Sequence, residues 1–125
     1  MMNYLLIGIG GFAGALIRYA VSGWFSERLA DGGFPWGTLA VNITGSLLLG
    51  FLNSVAIERG VMTPETRSAL MVGLLGAYTT FSTWSLETVN LLRAGSVVLA
   101  AVNAAGSLIA GLTAVWLGIV LGKLV

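Results

Sequence analysis

The sequence predicts an all-α membrane protein of four transmembrane helices, on three observations. The 125 residues are 57% hydrophobic and only 9% charged, the mean hydropathy is +0.94, and charged residues punctuate the chain so as to leave four nearly charge-free stretches. Soluble domains carry about 25% charged residues, so this chain lies far outside their range. Each stretch is long enough to cross a hydrocarbon core, which takes roughly 20 residues of helix. Residues 1–125 are read as a single four-helix transmembrane domain.

The first helix is expected over about Asn3 to Val21. Its opening, MMNYLLIGIG, lacks the basic n-region of a secretory signal and further spans follow, so it reads as a retained membrane helix. A loop with Glu27, Arg28, Asp31, Gly32 and Gly33 comes next, flanked by Trp24, Phe25, Phe34 and Trp36 as interfacial aromatics. The second helix is expected from about Pro35 to Ile57. Thr63, Pro64 and Glu65 supply an N-cap, an N1 proline and an acid in the first turn, so the third begins there and runs to about Leu92. After a turn at Arg93 to Ser96, the fourth occupies about Val97 to Gly122. The short second and third connections predict that helices 2, 3 and 4 pack as antiparallel neighbours.

Charge and composition exclude several functions. Six Lys plus Arg against five Asp plus Glu provide no basic surface for nucleic acid. The absence of Cys and His removes disulfides, thiol chemistry, imidazole bases and the commonest transition-metal ligands, so an enzyme is not expected. Orientation in a membrane follows Lys and Arg near the span ends. Here Arg59, Arg67 and Lys123 on one side face Arg28, Arg93 and, if it sits at the helix mouth, Arg18 on the other, three against three. Such a tally permits insertion both ways round, as an antiparallel homodimer requires; it is equally what a small, charge-poor chain shows by chance.

GIGGFA at residues 8–13 fits a dinucleotide-binding fingerprint, with Glu27 near the distance of a ribose-binding acid. The alternating strands and amphipathic helices that such a domain needs are missing after residue 35. Close packing explains the glycines better: Gly10 and Gly14, Ala69 and Gly73, Ser107 and Gly111, and Gly118 and Gly122 all have small-x-x-x-small spacing.

The intramembrane polar residues fall into stripes. Helix 2 offers Thr38, Asn42, Ser46 and Asn53, and helix 4 offers Asn103 and Ser107, four apart. In helix 3, Phe81 and Trp84 share a face, while Thr79, Ser82 and Thr83 turn to another. These faces must turn inward, because lipid satisfies no amide or hydroxyl. Interhelical hydrogen bonding accounts for most Ser and Thr residues, whose hydroxyls also bond their own helix. Asn42 is different, since a side-chain amide costs more to bury and marks a partner or a pathway. In GAYTTFSTWSLE, residues 76–87, Gly76 and the Thr79–Thr80 pair predict a broken helix. Carbonyls freed at such a break can hold a cation.

GGFAGALIRY at 10–19, TLAVNITGSLLLG at 38–50 and GAYTTFSTWSLE at 76–87 together closely resemble the Fluc or CrcB-like family of small bacterial fluoride channels, in the family's order over nearly the whole chain. The resemblance implies a multi-pass protein of the bacterial inner membrane, a dual-topology antiparallel homodimer with two pores, and passive fluoride efflux that limits fluoride toxicity. It also implies a structural sodium ion at the dimer centre. Gly76 and Thr79 match positions whose carbonyls coordinate sodium, Asn42 matches the pore asparagine, Phe81 matches the first of two pore phenylalanines, and Ser107 matches a pore-facing serine of helix 4. Trp84 departs from the family, which usually has its second phenylalanine there. Glu87 fits the family's acid after the hydroxyl run.

The residue chemistry agrees. Fluoride is small and strongly hydrated, so a pore must replace its water with donors: the Asn42 amide, the hydroxyls of Ser82, Thr83 and Ser107, and the electropositive ring edges of Phe81 and Trp84. Two other readings stand beside the channel. A proton-coupled exporter resembling small multidrug transporters needs an acid within helix 1, where this chain has Arg18 and none. For a non-transporting assembly protein, the polar stripes serve only to hold helices together.

Overall fold

A computed structural model describes the backbone of residues 1–125 and every side chain except that of Asp31. Besides one 3-10 turn at Asp31–Gly33, the described chain forms five helices: α1 (Met2–Arg28), α2 (Trp36–Arg59), α3 (residues 64–78), α4 (Phe81–Arg93) and α5 (Val97–Leu124). Three of them, α1, α2 and α5, are long and apolar enough to cross a membrane. The remaining apolar stretch is divided between α3 and α4, which a two-residue link separates.

Local chemistry explains the ends. α1 runs past Val21 to Arg28, whose guanidinium lies 4.5 Å from the Trp24 ring centroid, giving the last turn a cation–π contact. α2 stops at Gly60, which takes the left-handed conformation that closes a helix (φ 58°). α3 opens as its sequence predicts: Thr63 Oγ1 accepts the Thr66 N–H at 3.2 Å, Pro64 follows the cap, and Glu65 stands in the first turn. Two segments, Ser68–Leu75 in α3 and Val102–Gly106 in α5, are wound as wider π turns, a form common at functional sites.

The principal packing differs from the expected arrangement of sequence neighbours. α1 packs chiefly on α3, and α2 chiefly on α5, with α1 and α2 touching less extensively. Glycine decides this. A Cβ on Gly10 or Gly14 would run into the main chain of Ala69 and Leu74, and one on Gly118 into the main chain of Leu47 and Phe51. Bare backbone at these positions lets the helices approach closely, which in lipid supplies the packing that a hydrophobic effect cannot. Short connections fix the direction of successive helices but not which pair makes the closest contact. Gly111 is the exception, since a Cβ there meets only Ser46 Oγ at 3.8 Å, and with Ser107 it borders a cavity instead of a helix seam.

The core is small, as lipid-exposed helices require. Val41, Leu75 and Tyr78 form its buried centre, which ties α2 to the end of α3. Tyr78 donates its phenolic proton to Thr44 Oγ1 at 2.8 Å, because the Thr44 hydroxyl itself donates to the Ala40 carbonyl at 2.7 Å.

Gly118→Val is expected to lower stability by about 1–3 kcal/mol through overpacking against α2, whereas Gly111→Ala leaves it nearly unchanged. Thermal unfolding of the two variants in detergent checks both halves of this expectation.

Candidate ion pathway

The centre of the site is the link between α3 and α4. Thr79 (φ −84°, ψ 158°) and Thr80 (φ −149°, ψ 121°) are extended, so the helical ladder stops there. In a continuous helix the Thr80 N–H would bond the Gly76 carbonyl. It donates instead to Asn42 Oδ1 at 2.8 Å, while Asn42 Nδ2 donates to the Thr80 carbonyl at 3.0 Å. One side-chain amide thus takes the place of a neighbouring peptide, satisfying both main-chain groups of a buried residue. Thr79 turns its own N–H and hydroxyl back to the Leu75 carbonyl, at 3.1 and 3.0 Å. The Gly76 carbonyl is left without its helical donor.

Thr80 also starts α4. Its Oγ1 accepts the Thr83 N–H at 3.3 Å, an N-cap made possible by the extended backbone, and donates to Thr83 Oγ1 at 3.0 Å. From this cap the first turn of α4 presents Phe81 and Trp84, with ring centroids 5.1 Å apart and planes tilted by 41°. Phe81 is 75% exposed. Trp84 is anchored, its indole N–H donating to the main-chain carbonyl of Asn103 at 3.0 Å.

A cavity of about 360 Å³, open on one side, brings together Asn42, Gly76, Thr79, Phe81, Trp84 and Ser107. Ser82 and Thr83 do not line it; they lie exposed on the first turn of α4. The rest of the α2 stripe is in use as well. Thr38 donates to Glu87 Oε1 at 2.7 Å, Ser46 lines the cavity, and Asn53 Oδ1 accepts from Arg67 at 3.4 Å. Sequence reasoning left Glu87 without a role, and the structure makes it a tie between α4 and the start of α2. It missed Thr80, the residue that Asn42 holds, although the Thr-Thr pair signalled it. The sequence places Asn103 only on the polar stripe of the fourth span, without a role. Asn103 proves to be a buried junction between α4 and α5, bonding Thr88 at 2.9 Å and Ser107 at 3.2 Å.

Donors available to an anion can be counted from these bonds. Asn42 has one N–H committed to Thr80 and one remaining. The Trp84 N–H is committed to Asn103, which leaves this ring only C–H groups for an anion. Phe81 likewise has only ring C–H groups. No Lys or Arg lines the cavity. The lining is therefore one of weak, neutral, proton-bearing groups set in apolar walls.

Comparison with known proteins identifies the family. The family described as CrcB-like protein, Camphor Resistance (CrcB), matches residues 5–119. The fluoride-specific ion channel FluC 1 of Symbiobacterium thermophilum is 50% identical over 121 residues, covering 97% of this chain and 98% of its own. The fluoride-specific ion channel FluC of Trichormus variabilis is 46% identical, covering 96% and 88%, and that of Chlorobaculum tepidum is 43% identical, covering 99% and 97%. A family match across nearly the whole chain, and relatives sharing close to half of its residues end to end, lead to one conclusion: this multi-pass membrane protein belongs to the CrcB family.

Proposed function

We propose that this chain is a fluoride-selective channel that lets fluoride leave the cytoplasm down its gradient, as an antiparallel, dual-topology homodimer in the bacterial inner membrane. The observation that carries the reading is the cavity lining: Asn42, with one N–H uncommitted, meets Ser107, Phe81 and Trp84 around one space without a fixed positive charge. Donors of that kind replace the water of a small, hard anion, and because each is weak the ion can leave again. The names of the relatives point the same way.

The homodimer is supported by what lipid cannot do. α3 has about 15 residues and α4 about 13, so at about 1.5 Å per residue the link lies near the middle of the span. Extended backbone at that depth needs protein or a water-filled cavity around it. Gly76, Phe81, Ser82 and Thr83 are nonetheless exposed on the single chain. A second copy against this face encloses the cavity and gives the Ser82 and Thr83 hydroxyls a polar neighbour along the pathway. With Arg18 counted, although it lies inside α1, the basic residues balance three against three, as insertion both ways round requires.

The same face fits a structural sodium ion. The Gly76 carbonyl has lost its helical donor and, with Thr79, borders the cavity, and carbonyls at unwound helix ends are suitable ligands for this cation. Gly76 and Thr79 from each copy would hold it at the dimer centre, where its charge offsets the negative ends of the carbonyl dipoles and favours an anion nearby.

Vesicles loaded with fluoride and carrying the purified protein are expected to release it rapidly, with chloride retained. Slow, proton-dependent release would instead favour an exporter, and an indefinitely held fluoride gradient a protein that transports nothing. Phe81→Ile is expected to slow release roughly fivefold, the kinetic equivalent of about 1 kcal/mol of ring-edge interaction, with the dimer intact by crosslinking. Asn42→Asp is expected to abolish release by like-charge repulsion, although the aspartate still accepts the Thr80 N–H; wild-type rates from it remove Asn42 from the pathway.

A further inference from the structure

Asn103 is 1% exposed, and the direction of each of its side-chain bonds can be worked out. Thr88 Oγ1 donates to the Trp84 carbonyl at 2.8 Å, one turn back along α4. A hydroxyl has a single proton, so toward Asn103 this oxygen only accepts, and Asn103 Nδ2 donates to it at 2.9 Å. That fixes the amide. Its Oδ1 end faces Ser107, whose hydroxyl donates to it at 3.2 Å. The three bonds run one way, from Ser107 through Asn103 and Thr88 to the Trp84 carbonyl, and in a low-dielectric interior successive bonds of this kind strengthen one another. Ser107 borders the cavity and Asn103 does not, so at rest the Ser107 proton is committed to a group outside the lining.

We propose that Asn103 is a positioning residue for ion passage: it holds the Ser107 proton away from the cavity, so that Ser107 donates to a passing anion only by giving up Asn103. The inference rests on the fluoride-channel reading and adds a residue and a role to it. An anion that reaches Ser107 must compete with an amide oxygen for the proton, and on its departure the proton returns to Asn103. Ser107 becomes an exchangeable donor instead of a permanent one, which suits a site that must bind and release. The indole of Trp84 is not part of this exchange, since it donates to the main-chain carbonyl of Asn103 and keeps that partner whatever side chain stands there.

The test measures fluoride release from vesicles as a function of fluoride concentration. Asn103→Leu leaves the Ser107 proton uncommitted, so the half-saturating concentration is expected to fall about threefold or more, the worth of one net hydrogen bond, with a lower maximal rate. Thr88→Val keeps Asn103 but releases its amide to turn over, and is expected to shift the half-saturating concentration the same way by less. In a Ser107→Ala background, Asn103→Leu is expected to leave that concentration unchanged. If both variants only lower the maximal rate, or if the shift persists without the Ser107 hydroxyl, Asn103 is a packing residue and the inference is overturned. Failure of the unsubstituted protein to release fluoride is a separate result that overturns the channel reading and this inference with it.

Discussion

Peptide groups set free inside a membrane have no water to turn to, and the exchange of two hydrogen bonds between Asn42 and Thr80 is how this chain meets that constraint. Each main-chain group left buried and unpaired would cost about 1–3 kcal/mol, so the amide makes the extended link tolerable where lipid would reject it. The placement of the downstream residues depends on this exchange. With its backbone held, Thr80 can cap α4; with α4 started there, Phe81 and Trp84 face the cavity; and with Trp84 in place, its N–H reaches α5. A single side chain of α2 thus sets the relation between α3 and α4.

The hydroxyls divide into two groups. Those of Thr44, Thr79, Ser85, Thr88 and Thr113 bond carbonyls four residues back, as Ser and Thr on helices often do. Thr38 and Ser107 instead reach other polar side chains, and Thr80 works as a cap. Thr88 belongs to the first group, yet its committed proton gives the Asn103 amide its orientation. An apparently local bond therefore has an effect on a neighbouring helix.

Much of this was legible in the sequence because charge has few places to go in a membrane chain. The positions of the helices follow from the charged residues between them, and the α3 cap from Thr63, Pro64 and Glu65. Asn42, Gly76, Thr79, Phe81, Trp84 and Ser107 can be picked out by residue type, spacing and resemblance, and they do meet at one cavity. Helix partners were less legible. Small-x-x-x-small spacing shows that Gly10, Gly14 and Gly118 seek another backbone without saying whose, and only the folded chain pairs α1 with α3 and α2 with α5. The direction of a hydrogen bond is likewise a property of three-dimensional neighbours, which is why Asn103 had no role until Thr88 was seen beside it.

That pairing interleaves the helices, and it bears on how the protein comes to be made. Helices leave the ribosome in order, yet the main partner of α1 arrives only after α2 has been inserted, and the main partner of α2 arrives last of all. Neither major seam can close within the first half of the polypeptide. The bundle must therefore be assembled in the bilayer after synthesis has passed α3, with early helices waiting among lipids for their main partners.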